Sequence, residues 1–298
     1  MTDTTYDTVN DHYSRLARET TSVHEANSEK VALSFGYSVE ELSTIPDGAN
    51  LGVSCGNPTA LAALKEGETV VDLGSGAGFD VFLAARKVGS SGLAVGVDMS
   101  KDMLSRARAN AEKSNITNVK FVESGITKID LPSTTADCII SNCVINLVPA
   151  NEKNLVFEEI FRVLKPGGRV AVSDILAKKQ IPNDLLSNMS LYVGCISGAS
   201  LMNEYSAYLK NAGFQGILIV DKNNDLNVYK ENDLLLDVEG KKDSEAKAAK
   251  SSCCGSSNTD SAGAASFCGV RLPANSGAAK DIDFNEWVGS FNIYAVKP

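Results

Sequence analysis

Thr69-Val-Val-Asp-Leu-Gly-Ser-Gly-Ala-Gly78 is a β-branched run that ends in three alternating glycines. Thr69–Leu73 reads as a short buried strand, and helical spacing over Phe79–Lys87 puts the glycines in a strand-to-helix turn. Glycines there let backbone N–H groups approach a ligand, and the helix N-terminus favours negative charge on it. Downstream, the apolar run Leu93–Val97 is followed by a predicted helix over Lys101–Lys113 with Ser100 as its N-cap. Val119–Glu123 and Asp137–Ser141 read as further buried strands. Glu152–Leu164 reads as an amphipathic helix that stops and turns at Lys165-Pro-Gly-Gly168, and Arg169–Leu176 as another strand. This alternation predicts an α/β fold, with βαβ units forming a parallel sheet, helices on both faces, and ligands at the carboxyl ends of the strands. Beyond it, 177–213 reads as less regular and helical, Gly216–Asp221 as a strand, and Asn292-Ile-Tyr-Ala-Val296 as a last strand at the sheet edge. Upstream, 1–65 is polar and weakly periodic, with one helix around Val9–Ala17 and a glycine-rich loop at 48–58.

The composition is that of a soluble globular protein: 298 residues, 43% hydrophobic and 22% charged. A net charge of −9 argues against nucleic acid as the main partner, because phosphate binding needs a basic face. The first residues carry no basic and apolar leader, and no stretch approaches a membrane span, so a cytoplasmic chain without membrane attachment is expected. Seven cysteines scattered through such a chain do not read as a disulfide scaffold. With only His12 and His24 present, a histidine-based metal site or a Ser-His-Asp machine is not expected.

Asp98 stands twenty positions after Gly78, at the end of the second strand, where a carboxylate can accept both hydroxyls of a ribose. The dinucleotide fingerprint wants a third glycine or alanine three residues after the second, and here those positions hold Phe79 or Val81. Asp72 would also repel a diphosphate, whereas it suits the amino group of a zwitterion such as S-adenosylmethionine. Asp72-x-Gly74-x-Gly76-x-Gly78 resembles the first motif of class I methyltransferases. The candidate cofactor residues are therefore Asp72, Gly74, Ser75, Gly76, Gly78, Asp98 and Met99. Gly125 and Ile126 join them from the loop after the third strand and Asn142 from the end of the fourth, while Asn57 in the glycine-rich loop either touches the cofactor or holds its own loop as a turn residue.

Methyl transfer to oxygen or nitrogen needs a group that removes a proton, and candidates are few here. Sulfur surrounds the expected cofactor edge instead. Cys55 lies in Leu51-Gly-Val-Ser-Cys-Gly-Asn-Pro58, Cys143 follows the fourth strand, and Cys195 lies in the stretch that would cap the sheet. Three thiolates make a soft site that selects soft ions. Trivalent arsenic binds three sulfurs in a pyramid and keeps a lone pair that can attack a sulfonium methyl without a general base. The enzyme would then supply alignment.

Asn50–Gly89, Ser141-Asn-Cys-Val-Ile-Asn-Leu147, Phe161-Arg-Val-Leu-Lys-Pro-Gly-Gly168, Ser173-Asp174 and Gly194-Cys-Ile-Ser-Gly-Ala199 resemble the arsenite S-adenosylmethionine methyltransferases. The resemblance covers roughly 5–221 and is close across 50–199; the cysteine elements are its diagnostic part. It implies a Rossmann-like class I methyltransferase sheet with an arsenic-binding cap. Cys55, Cys143 and Cys195 become catalytic arsenic ligands, with Cys143 and Cys195 sufficient for a monomethylated arsenic. It also implies a thiol reductant, glutathione or thioredoxin-like, as co-substrate. Many members carry a further cysteine upstream that pairs with the Cys55 position during turnover, and residues 1–54 here contain none.

The expected organisation is 1–62 closing over the site, 63–176 binding S-adenosylmethionine, 177–235 as the cap carrying Cys195, and 236–298 as a C-terminal region. More than half of 241–280 is Ala, Ser or Gly, which reads as partly mobile. Cys253 and Cys254 there are solvated tail thiols or arsenic scavengers, and Cys268 has no further reading. Cys138 reads as a small core residue and His12 as a surface histidine on a helix over the cofactor. Trp287 and Phe284 read as an anchor for the chain end. The expected state is a monomer. Two other readings stay open: a methyltransferase for a small organic acceptor such as a quinone or sterol, and a non-catalytic protein that sequesters soft metals.

Overall fold

A computed structural model describes residues 2–19, 22–182, 186, 191–192, 194–231 and 282–298. Two helices, α1 (Thr2–Glu19) and α2 (Ser22–Ser34), open the chain, and single turns follow at α3 (Val39–Leu42) and α4 (Pro58–Leu61). Then β1 (Thr69–Leu73), α5 (Phe79–Val88), β2 (Leu93–Asp98), α6 (Lys101–Lys113) and β3 (Val119–Glu123) alternate as expected. The second half holds β4 (Ala136–Asn142), α7 (Lys153–Val163), β5 (Leu164–Ala177), α8 (Met202–Ala212), β6 (Gln215–Asp221) and β7 (Val288–Val296).

The sheet has seven strands in the order β3-β2-β1-β4-β5-β7-β6. β7 runs antiparallel to β5 and β6, while β1 to β5 pair in parallel. The chain leaves β1 for β2 on one side and reaches β4 on the other, so the crevice for a ligand opens between β1 and β4. Register lines up the strand ends there. Leu73 pairs with Val97 and with Ser141, so Gly74, Asp98 and Asn142 emerge side by side at one edge. Asn142 in turn pairs with Ser173.

Side chains alternate across the sheet with the strand period of two. Val71, Leu73, Val95, Val97, Ile139 and Val170 face a core closed by α7 and α8 through Phe157, Ile160, Tyr205 and Leu209. Val70, Ala94, Cys138, Ile140 and Ala171 face the other way, onto Val81, Ala84, Ala85 and Val88 of α5. Cys138 is thus a fully buried core residue, as expected.

Four differences from expectation have physical reasons. α2 escaped sequence reading because its apolar residues do not gather on one face. Lys165–Gly168 ends the helix but is no turn: β5 starts at Leu164 and bulges there, with the pairing shifting between Ala136 and Cys138. β7 is not an edge strand. It begins at Val288 and sits between β5 and β6, because a strand buried on both faces reads the same wherever it inserts. The expected C-terminal region is therefore divided, since residues 283–298 pack as one compact unit with the described residues up to 231. Phe284 is buried and Trp287 lies beneath the Lys179 ammonium, 3.8 Å from ring centre to Nζ. The segment 241–280, with Cys253, Cys254 and Cys268, lies outside the described residues. Among the described residues no helix is long and apolar enough to cross a membrane.

Candidate functional site

The glycine turn after β1 is built as its sequence demands. Gly74, Gly76 and Gly78 have φ of 70°, 51° and 96°, the left-handed region that side chains resist. A Cβ on Gly74 would also overlap the Val144 side chain. The turn borders a cavity at the β1/β4 crevice. Asp72, Gly74, Ser75, Gly76, Asp98 and Met99 line it, as do Gly125, Ile126, Asn142 and Cys143. Gly78 does not; it is the N-cap of α5, and its missing Cβ makes room for Phe82. Asn57 does not line it either. Its Oδ1 caps α4 by accepting from Ala60 N at 2.9 Å, and its Nδ2 donates to Gly36 O and Glu41. The side chain expected to touch a cofactor is consumed in holding its own loop.

Among the described residues the charged lining of the cavity is entirely acidic: Asp72, Asp80 and Asp98, with no lysine or arginine. Asp98 is held by Ser100 N at 2.8 Å and Gly76 N at 2.9 Å. Asp80 accepts from the Tyr37 hydroxyl at 2.7 Å and from Asn142 Nδ2 at 3.0 Å. Burial pushes the Asp72 carboxyl well up, and Asp80 and Asp98 add to this; burial lifts Asp80 to about 6 against those two hydrogen bonds. Such a wall repels a diphosphate and attracts a cation. Ser75 Oγ and Asn10 Oδ1, both in the wall, are buried without a partner among the described residues. Buried polar atoms of this kind want a polar ligand. Three carboxylates, two waiting polar atoms and a glycine cradle suit an adenosyl compound carrying ammonium and sulfonium charges.

Helix α1 roofs the cavity with Tyr6, Val9, Asn10 and Tyr13. Tyr6 donates to Glu152 at 2.8 Å, and Ser14 meets Ser100 at 2.9 Å. His12 is not a surface residue. It is 5% exposed, and both ring nitrogens lack a partner among the described residues. Burial, helped by Arg15, lowers it to about 4, so it is neutral at physiological pH.

Cys55, Cys143 and Cys195 are free, buried and adjacent, although widely separated in sequence. The Cys143 thiol interacts with both the Cys55 and the Cys195 thiols, and Cys195 Sγ also donates to Cys143 O at 2.6 Å. The Cys55 and Cys143 sulfurs and an Asp174 carboxylate oxygen lie within 4.8 Å of one another. Cys55 N donates to Asn142 Oδ1 at 3.1 Å, so Asn142 joins the first thiol to the cavity wall. Burial pushes the Cys55 thiol up to about 12. Cys143 is raised by burial, and Cys195 by its hydrogen bond with Cys143 and then by burial. All three are neutral thiols at physiological pH.

Several residues that shape this site were given no role by the sequence. Ser290 of β7 donates to Cys55 O, and the Tyr229 hydroxyl donates to Ser54 O at 2.7 Å. Asp174 and Lys153 are buried behind the thiols. Burial raises Asp174 to about 7 against the pull of Lys153, and burial lowers Lys153 to about 8. A buried lysine on an otherwise amphipathic helix was the one available hint for that pair.

A methyltransferase-domain description matches residues 64–232, more than half of the chain. The chain belongs to that family. The chain is 45% identical over 188 residues to the arsenite methyltransferase of Halobacterium salinarum, covering 63% of this chain and 48% of that one. It is 37% identical over 166 residues to the arsenite methyltransferase of Aquipseudomonas alcaligenes, covering 53% of this chain and 47% of that one. The chain thus spans about half the length of the curated relatives it matches. An arsenic (III) S-adenosylmethionine methyltransferase from Chlamydomonas reinhardtii shares the fold, with a TM-score of 0.52 at 22% identity over 90% of this chain and 72% of that one.

Proposed function

We infer that this chain transfers a methyl group from S-adenosylmethionine to trivalent arsenic, arsenite or methylarsenite, held by Cys55, Cys143 and Cys195. The observation that carries the reading is the meeting of three buried free thiols, one of which, Cys143, lines an acidic cavity. The two arsenite methyltransferases named above support the same acceptor.

S-adenosylmethionine, when bound, supplies a methyl on a sulfonium that a soft lone pair can displace. The chain's own residues hold it. Asp98 accepts hydroxyls of the ribose, the Gly74–Gly76 turn takes the backbone-close part, and Asp72 takes the ammonium. Gly125 and Ile126 border the adenine side, and α1 covers the crevice from solvent. The three thiols hold the acceptor. Arsenite is neutral, and each of its hydroxides leaves as water with a thiol proton, so three As–S bonds form without a net charge in the buried site. A divalent cation would instead need three costly thiolates there. The pyramid of sulfurs leaves the arsenic lone pair free and turned away from them, and the residues supply proximity rather than acid or base. Forming the As–C bond consumes that lone pair, so a second methylation needs two electrons back. A thiol reductant, glutathione or thioredoxin-like, is the proposed source.

The test incubates the purified chain with arsenite, S-adenosylmethionine and a thiol, then separates and quantifies methylated arsenic, with Cys143→Ser in parallel. Methylated arsenic from the parent and at least about a hundredfold less from the variant is expected, since one lost ligand misplaces the acceptor. No methylated arsenic from a parent that binds S-adenosylmethionine overturns the reading.

A further inference from the structure

Lys153 is the first residue of α7 and only 2% exposed. A buried cation at a helix N-terminus is doubly unfavourable, through lost hydration and through the helix dipole. Its contacts show what it holds. Nζ donates to Asn146 Oδ1 at 3.3 Å, to Ser200 Oγ at 2.9 Å and to the Gly198 carbonyl, so three N–H bonds meet three acceptors. Asn146 belongs to the Cys143 loop; Gly198 and Ser200 belong to the Cys195 loop. Asn146 continues the tie, donating to Asp174 Oδ1 at 2.9 Å and to Cys195 O at 3.4 Å. The loops touch so closely that a Cβ on Gly198 would overlap Asn146 O.

Both loops need restraint. Cys143 and Cys195 have φ of 59° and 63°, the left-handed region that a side-chain-bearing residue leaves unless its surroundings forbid it. We propose that Lys153 is a positioning residue of the thiol site: its ammonium ties the Cys195 loop to the Cys143 loop and so sets the separation at which the two sulfurs grip one trivalent arsenical. The inference rests on reading these thiols as the arsenic site.

Phenylarsine oxide tests it without turnover, because it needs two thiols at a fixed separation, whereas N-ethylmaleimide needs one. The full chain is titrated with phenylarsine oxide, and protection of Cys143 and Cys195 from N-ethylmaleimide is read by mass spectrometry. S-adenosylmethionine affinity is measured alongside by calorimetry. The parent is expected to bind the arsenical with both cysteines protected. Lys153→Met is expected to weaken that binding about 10–100-fold, with S-adenosylmethionine affinity unchanged and both thiols still open to the one-thiol reagent. Should Lys153→Met fail to bind S-adenosylmethionine, the decision passes to Gly198→Ala, which wedges the same loops apart and is expected to give the same selective loss. Parent-like arsenical binding in the deciding variant overturns the positioning role and leaves the arsenic reading standing. No binding by the parent overturns both.

Discussion

At the residue scale, the site is a set of groups held in states they would not adopt in water. Cys143 and Cys195 are strained at the backbone and neutral at sulfur, and Asp72 and Asp80 are carboxyls raised by burial beside each other. His12 gives the clearest pH prediction. Its value is about 4 in the folded chain against 6.5 unfolded, so the unfolded state takes up the proton first as pH falls. Stability is therefore fully present above 6.5 and is lost between 6.5 and 4, by roughly 3 kcal/mol from this residue. Asp80 and Asp174, both raised, act in the opposite sense, so the comparison must be between chains that differ only at His12. His12→Leu is expected to lose less stability than the parent between pH 6.5 and 4, measured by urea unfolding across that range. Identical pH slopes would mean that His12 titrates normally.

At the element scale, α1 is the roof of the cavity, and it is fastened at both ends of its exposed run. Tyr6 reaches Glu152 ahead of α7, and Arg18 reaches Asp102 of α6 at 2.5 Å. The second contact is exposed and contributes little. Tyr6 is the better fastening because it is half-buried and lies in the cavity wall. Burial and the Glu152 carboxylate together push its hydroxyl up to about 12, so it stays a donor throughout the physiological range. Tyr6→Phe removes that hydrogen bond, worth about 1 kcal/mol, and is expected to raise the Kd for S-adenosylmethionine roughly fivefold by calorimetry. An unchanged Kd would show that α1 stays closed without it. The sequence showed a helix here around Val9–Ala17 and its placement near the cofactor, but not which residue latches it.

At the scale of the whole molecule, the chain end completes what the middle begins. β7 pairs along nine residues of β5 and also along β6, and its Ser290 holds the Cys55 loop. Its partner strand lies more than a hundred residues earlier, so the closure is long-range and comes late. A chain ending at Asp283 is expected to lose its cooperative thermal transition and to aggregate, because β5 and β6 would both present unpaired edges. A transition matching that of the parent would place β7 outside the cooperative core.

What the amino-acid sequence determined alone is the local part. Thr69–Gly78 carries strand, turn and helix start within ten residues, and Ser100 caps α6 where its side chain predicts. Asp98, Ser75 and Asn142 reach the cavity because strand ends in a parallel sheet point one way, which spacing alone reveals. The three cysteines were legible by residue type, but their meeting was not. Only tertiary structure decided that Asn57 caps its own helix, that β7 inserts between two strands, and that His12 turns inward. It also decided that Lys153 is buried behind the thiols. All but the Asn57 cap, which is a local contact with Ala60 N, depend on a partner far along the chain, and burial and pairing across such distances leave no periodicity in the residues themselves.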